Sequence, residues 1–304
     1  MIGPAVDGVR SVDLGVAELA SRAKFYTEVW RLEPVARGAD AVYLRGSGAH
    51  HHLLALHARD APALLRIDFT APDAAAVDAV HAGLRQAGMA GIAAPAPIAE
   101  PSGGYGFAFR DPDGRTLRIL AGAARHEDAA PRADRPGKIT HIVLNAPDPM
   151  AISAFYCRHL GFRVIDRTRH LTFLCCNADH HSIAFAAGER ATLHHIAFEM
   201  PDIDSVMRGA GRMRDNGYAI DWGIGRHGPG NNVFAYFVGP DDVVLEYTAE
   251  VEQVDAGYRA RGPEDWTWPP GRNDQWGIAV GPTPRLIAAQ QRVGFAPDLL
   301  RGAT

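Results

Sequence analysis

The stretch VRSVDLGVAELASRAKFYTEVWRLEPV, residues 9–35, returns 130 residues later as ITHIVLNAPDPMAISAFYCRHLGFRVI, residues 139–165. Both copies open on an alternating run, pass an acidic residue into a helical stretch, carry an aromatic pair (Phe25–Tyr26 and Phe155–Tyr156) and close on a short strand pattern. Nearly the same offset recurs twice. LLRIDFTAPDAAAVDAVHAGLRQAG (64–88) matches LHHIAFEMPDIDSVMRGAGRMRDNG (193–217), with Pro72–Asp73 over Pro201–Asp202, and FAFRDPDGRTLRIL (107–120) matches AYFVGPDDVVLEYT (235–248). Self-similarity at a fixed spacing marks a duplicated unit.

Each copy divides again. Residues 9–18, 64–73, 139–148 and 193–202 all read as an alternating strand running into a helix start. Asp73, Asp148 and Asp202 suit that start, because a carboxylate accepts hydrogen bonds from the first free N–H groups of a helix. Helical patterns follow, then short strands bounded by Gly and Asp, such as VFAYFV and VVLEYT around the Gly239–Asp242 turn. The expected fold class is α+β: four βαβββ modules paired into two domains, each a curved mixed sheet enclosing a cavity. The expected boundaries are an N-terminal domain at 1–125, a polar Pro/Ala-rich linker at 126–137, a C-terminal domain at 138–255, and a tail at 256–304 whose aromatics suggest that it packs on the core.

Composition narrows the function classes. A net charge of −4 offers no general attraction to nucleic acid or an anionic membrane. No apolar run reaches 18 residues, and the opening MIGPAVDGVR lacks the basic and apolar regions of a secretory signal. The three cysteines, Cys157, Cys175 and Cys176, include a neighbouring pair poorly placed for a structural disulfide, which fits a reducing cytoplasm. Weak motifs carry little: PSGGYG (101–106) lacks the lysine of a phosphate loop, and Asp111–Asp113 reads as a turn.

The chemistry concentrates in the second copy. His141 in ITHIVLN and His195 in LHHIAFE stand at matching strand positions, and Glu246 lies in the last strand pattern, VVLEYT. Spacings of 54 and 51 residues bring the three from separate strands of successive modules. Two imidazoles and a carboxylate with other positions open is the facial set that suits non-haem Fe(II). A single buried histidine is more often a satisfied core residue than a ligand. Here, however, the first copy carries Ser11, Arg66 and Arg118 at the matching places, so all three potential ligands change together.

The segments THIVLNAPD, CNADHHSIAF, LHHIAFEMPD, GRHGPGNNVFAYF and VVLEYTAEVEQV, spanning about 138–255, together resemble the type I extradiol ring-cleaving dioxygenases of the vicinal oxygen chelate superfamily. The repeat extends the fold resemblance back to residue 9. The resemblance implies extradiol (meta) cleavage of a catecholic ring with dioxygen at a mononuclear Fe(II) centre, with Mn(II) as the alternative metal. It implies His141, His195 and Glu246 as ligands, His195 rather than His194 because the second histidine of the pair aligns with the motif. His181 matches the family's acid/base histidine, and His227 and Tyr236 match positions that hydrogen-bond the substrate oxygens. Taken without the family, His180–His181 is a solvated turn, Tyr236 an ordinary strand aromatic and His227 a loop residue. Gly228–Pro229–Gly230 stands where some relatives have an aspartate, so the resemblance does not carry the substrate class.

Other readings remain open at this point: a glyoxalase-type isomerase or epimerase, a 2-oxo-acid oxygenase, or a ligand-sequestering protein on the same scaffold. The expected partners are a small aromatic diol and O2. The first domain is expected to buttress the second and to form subunit contacts in a homo-oligomer.

Overall fold

The computed structural model describes residues 5–296; the last eight residues of the expected tail lie outside that range. The first copy contributes β1 (Gly8–Val16), α1 (Leu19–Lys24), β2 (Glu33–Arg37), β3 (Ala41–Arg45) and β4 (Leu54–Ala58). Its second module follows with β5 (Ala63–Thr70), α2 (Ala74–Gln86), β6 (Ala96–Pro97), β7 (Tyr105–Arg110) and β8 (Thr116–Ala121). The second copy repeats the order with β9 (Lys138–Ala146), α3 (Pro149–Leu160), β10 (Arg163–Arg167), β11 (Leu171–Cys175) and β12 (Ile183–Ala187). It continues with β13 (Thr192–Glu199), α4 (Ile203–Asp215), β14 (Trp222–Arg226), β15 (Val233–Val238) and β16 (Val244–Ala249), and α5 (Pro284–Ala289) lies in the tail.

The helices begin where the sequence predicts. The Asp73 carboxylate accepts from the Ala76 N–H, Asp148 from Met150 and Ala151, and Asp202 from Ser205. Helix α3 stops at Gly161, whose φ of 77° is the left-handed conformation that a side chain resists.

Both sheets have eight strands in the same order: β2-β3-β4-β1-β5-β8-β7-β6 and β10-β11-β12-β9-β13-β16-β15-β14. Each is open, with edge strands at both ends, as expected of the α+β class. Modules join through antiparallel central pairs, β1 with β5 and β9 with β13, while each module closes on itself through a parallel pair.

The central strands alternate apolar and polar residues, yet both faces are buried. Ser11, Asp13, Asp68, His141, His195 and Glu246 are all less than 5% exposed. A buried polar face must find partners within the protein or in something it binds, since stripping its water is otherwise costly. That requirement shapes the site below.

The halves pack through their apolar cores. Trp30 stacks on Tyr247 with ring centroids 3.7 Å apart, and the Tyr247 hydroxyl donates to the Trp30 carbonyl at 2.9 Å. The segment at 126–137 runs along the β3–β4 connection, where Ser47 and Gly48 N–H groups donate to the Pro136 and Gly137 carbonyls. The described part of the tail is anchored by bonds from Leu193 N–H to the Val293 carbonyl and from Leu64 N–H to Gly294, and by buried Leu286. Among the described residues no helix is long and apolar enough to cross a membrane. The three cysteines are free.

Candidate metal centre

Register places the site. Ala197 on β13 pairs with His141 on β9 and with Glu246 on β16, and Glu246 pairs in turn with Tyr236 on β15. Since strand side chains alternate between faces, residues in one row point the same way. His195 lies two residues before Ala197, on the same face. The short methyl of Ala197 leaves the space between its longer neighbours open.

The three donors converge there. His141 Nε2 and His195 Nε2 each lie 3.2 Å from Glu246 Oε2, and the two nitrogens are 3.4 Å apart. Donors bound to one cation at about 2.1 Å, 90–109° apart, stand roughly 3.0–3.4 Å from one another, so the triangle fits a metal. The electrostatics agree. Burial alone would raise the Glu246 carboxyl, but His141 and His195 hold it well below the usual carboxylate range. Burial in turn pushes His195 down, against the pull of Glu246. Anionic carboxylate and neutral imidazole are the forms that ligate a metal. Among the described residues only histidines lie within ion-pair distance of Glu246 and no Arg or Lys does, so a wholly buried anion lacks a fixed countercharge. Asn232 orients the carboxylate, its Nδ2 standing 3.3 Å from Glu246 Oε1 and 2.7 Å from Thr248 Oγ1.

The other expected residues gather around the same triangle. The His181 ring lies 4.1 Å from that of His141, centroid to centroid. His227 Nε2 and the Tyr236 hydroxyl are 3.0 Å apart, and the Tyr236 ring meets His195 edge-on at 5.1 Å. Burial, then Glu246, keeps Tyr236 well above its ordinary pKa, so it stays a phenol; burial lowers His227 to about 4. His181 is lowered well below its ordinary value by burial and by the imidazoles around it. His180 and His181 are 0% and 3% exposed, which overturns the solvated-turn alternative.

Behind the site lie residues to which the sequence reading gave no role. His180 Nε2 stands 2.8 Å from Asp166 Oδ2, and its Nδ1 stands 3.0 Å from His181 Nδ1. With the Asp166 carboxylate accepting from Nε2–H, His180 Nδ1 is an acceptor and His181 Nδ1–H the donor. The His181 Nε2 lone pair is then free to face the cavity. A register shift between Leu193 and His195 makes His194 the bulged residue, and its Nδ1 lies 2.7 Å from His195 Nδ1. The one visible signal was the recurrence of histidine runs at 50–52, 180–181 and 194–195.

The loop before β15 closes over these groups. Gly230, at φ +81°, brings its backbone so near His181 that a Cβ there would stand 3.1 Å from the ring. A Cβ on Gly228 would meet Trp266 and Trp268 of the tail. A larger groove, about 390 Å³, runs between Ser47–His50 and Ala129–Pro131, but among the described residues it contains no such donor set.

The family model described as Glyoxalase/Bleomycin resistance protein/Dioxygenase superfamily matches residues 8–119 and 138–247. Over 216 residues the chain is 32% identical to biphenyl-2,3-diol 1,2-dioxygenase of Metapseudomonas furukawaii, covering 64% of this chain and 71% of that one. It is 29% identical over 189 residues to metapyrocatechase 2 of Cupriavidus necator, covering 55% of this chain and 57% of that relative, so the match spans little over half of that enzyme's length. Among solved structures, the Mn(II)-bound glyoxalase from Novosphingobium aromaticivorans is 38% identical with a TM-score of 0.84, covering 92% of this chain and 93% of that one. The chain belongs to the Glyoxalase/Bleomycin resistance protein/Dioxygenase superfamily, in which it is similar to the extradiol ring-cleaving dioxygenases its sequence resembles.

Proposed function

We propose that this protein cleaves a catecholic ring beside its diol with O2, using one divalent metal held by His141, His195 and Glu246. The observation that carries the reading is the convergence of three ligand atoms 3.2–3.4 Å apart at one end of a cavity that His181, His227 and Tyr236 also line. Fe(II) is the metal the reading favours, and when bound it would polarise the diol oxygens and pass electrons between diol and O2.

The side chains supply the proton handling. His181 accepts a proton from the diol at Nε2 and returns one to the product side, with His180 and Asp166 fixing its tautomer. Tyr236 O–H and the His227 ring hydrogen-bond the substrate oxygens and favour the monoanion over the neutral diol. The walls and the overlying loop keep bulk water from the reacting atoms. In this reading residues 138–255 are the catalytic domain, 1–125 its buttress and 126–137 the linker. Three free cysteines suit work in a reducing cytoplasm.

A second reading has a specific observation in its favour. The 38% identity to a Mn(II)-bound glyoxalase supports Mn(II) as the metal and an oxygen-independent isomerase as the activity. The test is anaerobic loading with Fe(II) or Mn(II), followed by oxygen uptake and ring-fission absorbance with catechols, and by hemithioacetal turnover. One O2 consumed per diol with a yellow ring-opened product supports the dioxygenase. Hemithioacetal turnover with no oxygen consumed on any diol would replace it with the isomerase.

A further inference from the structure

The cavity above the triangle encloses about 140 Å³. A cavity of about 150 Å³ is known to admit one benzene ring, whereas pockets for larger ligands run to roughly 300–1,000 Å³. Between and beside the donors its wall is apolar: Val143 and Phe173 are buried, Phe173 meeting the His181 ring at 5.0 Å, and Leu171, Trp222 and Pro229 form the partly exposed rim. Among the described residues Thr168 is the one hydroxyl on that wall. Apart from the Glu246 ligand, no charged Arg, Lys, Asp or Glu side chain lines the cavity among the described residues.

We infer that the site takes a single-ring catechol whose other substituents are small and uncharged. This deepens the dioxygenase reading and rests on it. A bound metal with His181, His227 and Tyr236 would claim the two hydroxyls, which leaves the rest of the ring to the apolar wall of Val143, Phe173 and Leu171. A methyl group there gains apolar contact. A carboxylate there would be stripped of water with no cationic partner. A second ring would have to leave through the rim, forcing Leu171 and Trp222 apart. Trp222 resists, because its ring stacks on Tyr236 at 5.1 Å and packs against Phe234 at 4.6 Å. Leu171 begins β11 and is the wall residue freest to be shortened.

The experiment compares catechol, 4-methylcatechol, 3,4-dihydroxybenzoate and biphenyl-2,3-diol on the metal-loaded full chain. Oxygen uptake is read aerobically, and calorimetric affinity anaerobically with the same four diols. The expected order places 4-methylcatechol at or above catechol. The carboxylate falls at least about 100-fold in both measurements, and the two-ring diol at least about 10-fold. Leu171→Ala is expected to raise kcat/KM for the two-ring diol about 10-fold relative to that for catechol. Equal handling of the two-ring diol or the carboxylate by the unaltered protein would overturn the inference. So would a Leu171→Ala variant that binds metal normally yet gains nothing on the larger diol. The expected affinity order without oxygen uptake would sink the dioxygenase reading and leave the pocket's preference standing; no binding by any of the four would overturn both.

Discussion

Across β15, β16, β13 and β9 the second sheet presents one row: Tyr236, Glu246, Ala197, His141. The equivalent row of the first sheet, across β7, β8, β5 and β1, is Ala108, Arg118, Asp68, Ser11. His195 and Arg66 hold the matching place beside their rows. Both rows are buried, so each must neutralise its own polarity. The second leaves a gap at Ala197 and arranges donors around it. The first fills the gap with Asp68, which bonds Arg118 and pairs with Arg66 at 2.8 Å, while Arg66 also reaches Asp13 at 2.8 Å and Glu100 at 2.9 Å. Asp13, His52 and Asp68 also come close enough together to hold a cation, but Arg10, Arg66 and Arg118 already supply positive charge there. A guanidinium cluster does for one fold copy what a metal would do for the other. The duplication therefore separates what the scaffold needs from what the chemistry needs.

The sharpest way to break that comparison is to remove the anion from one row and the cation from the other. Glu246→Ala should empty the metal site, read by elemental analysis, and lower turnover by at least about 10³-fold, with the first sheet undisturbed. A variant that keeps full metal would contradict the ligand assignment. Next in size is the histidine shared by both copies: His181→Ala should lower kcat by about 10²–10⁴-fold. His52→Ala, at the matching position, should leave kcat within about twofold and lower only stability, by about 1–3 kcal/mol. Equal kinetic effects at the two positions would make His181 structural.

Much of this contrast was legible in the sequence. Offsets of about 128 to 130 residues carried the register, and the structure puts Ser11, Arg66 and Arg118 at the strand places of His141, His195 and Glu246 as the alignment expected. The strand places of the candidate ligands are readable because a strand's two-residue period fixes which face a side chain takes. Asp68 and Asp13 were not readable as partners of those arginines, nor Asp166 as the support of His180, because these contacts join separate strands. Burial of the polar faces was equally hidden, since an alternating strand looks the same whether its polar side meets water or a second layer. His180 was passed over because the family resemblance falls on His181, and without it the pair reads as a turn in solvent.

The first row makes its own prediction. Arg66→Met removes one guanidinium and leaves Asp13, Asp68 and Glu100 short of countercharge, which should cost about 3–5 kcal/mol in unfolding free energy. Burial would push Asp13 and Asp68 up, but the arginines hold both carboxyls below their usual range, and this variant releases part of that hold. Metal content and KM should stay unchanged. A variant of unaltered stability would mean that Arg10 and Arg118 suffice.

The smallest effect sharpens the second row. Burial lowers His227 from 6.5 to about 4 in the folded protein, while the unfolded chain titrates near the ordinary value. Between those values the unfolded state binds a proton that the folded state refuses, so stability is full above about pH 6.5 and falls as pH drops toward about 4. His181, His194 and His195, lowered in the same direction, add to the slope. Metal must be absent from the measurement, since its own pH-dependent binding would mask the effect. His227→Gln keeps a hydrogen-bonding group beside Tyr236 but cannot titrate. Urea unfolding of the metal-free variant should therefore lose close to one proton's share of the pH slope, about 1.4 kcal/mol per pH unit at most. Coincident slopes for variant and parent across the window would show that His227 is already solvated there, and the dry cavity wall on which the substrate argument leans would have to be redrawn at that edge.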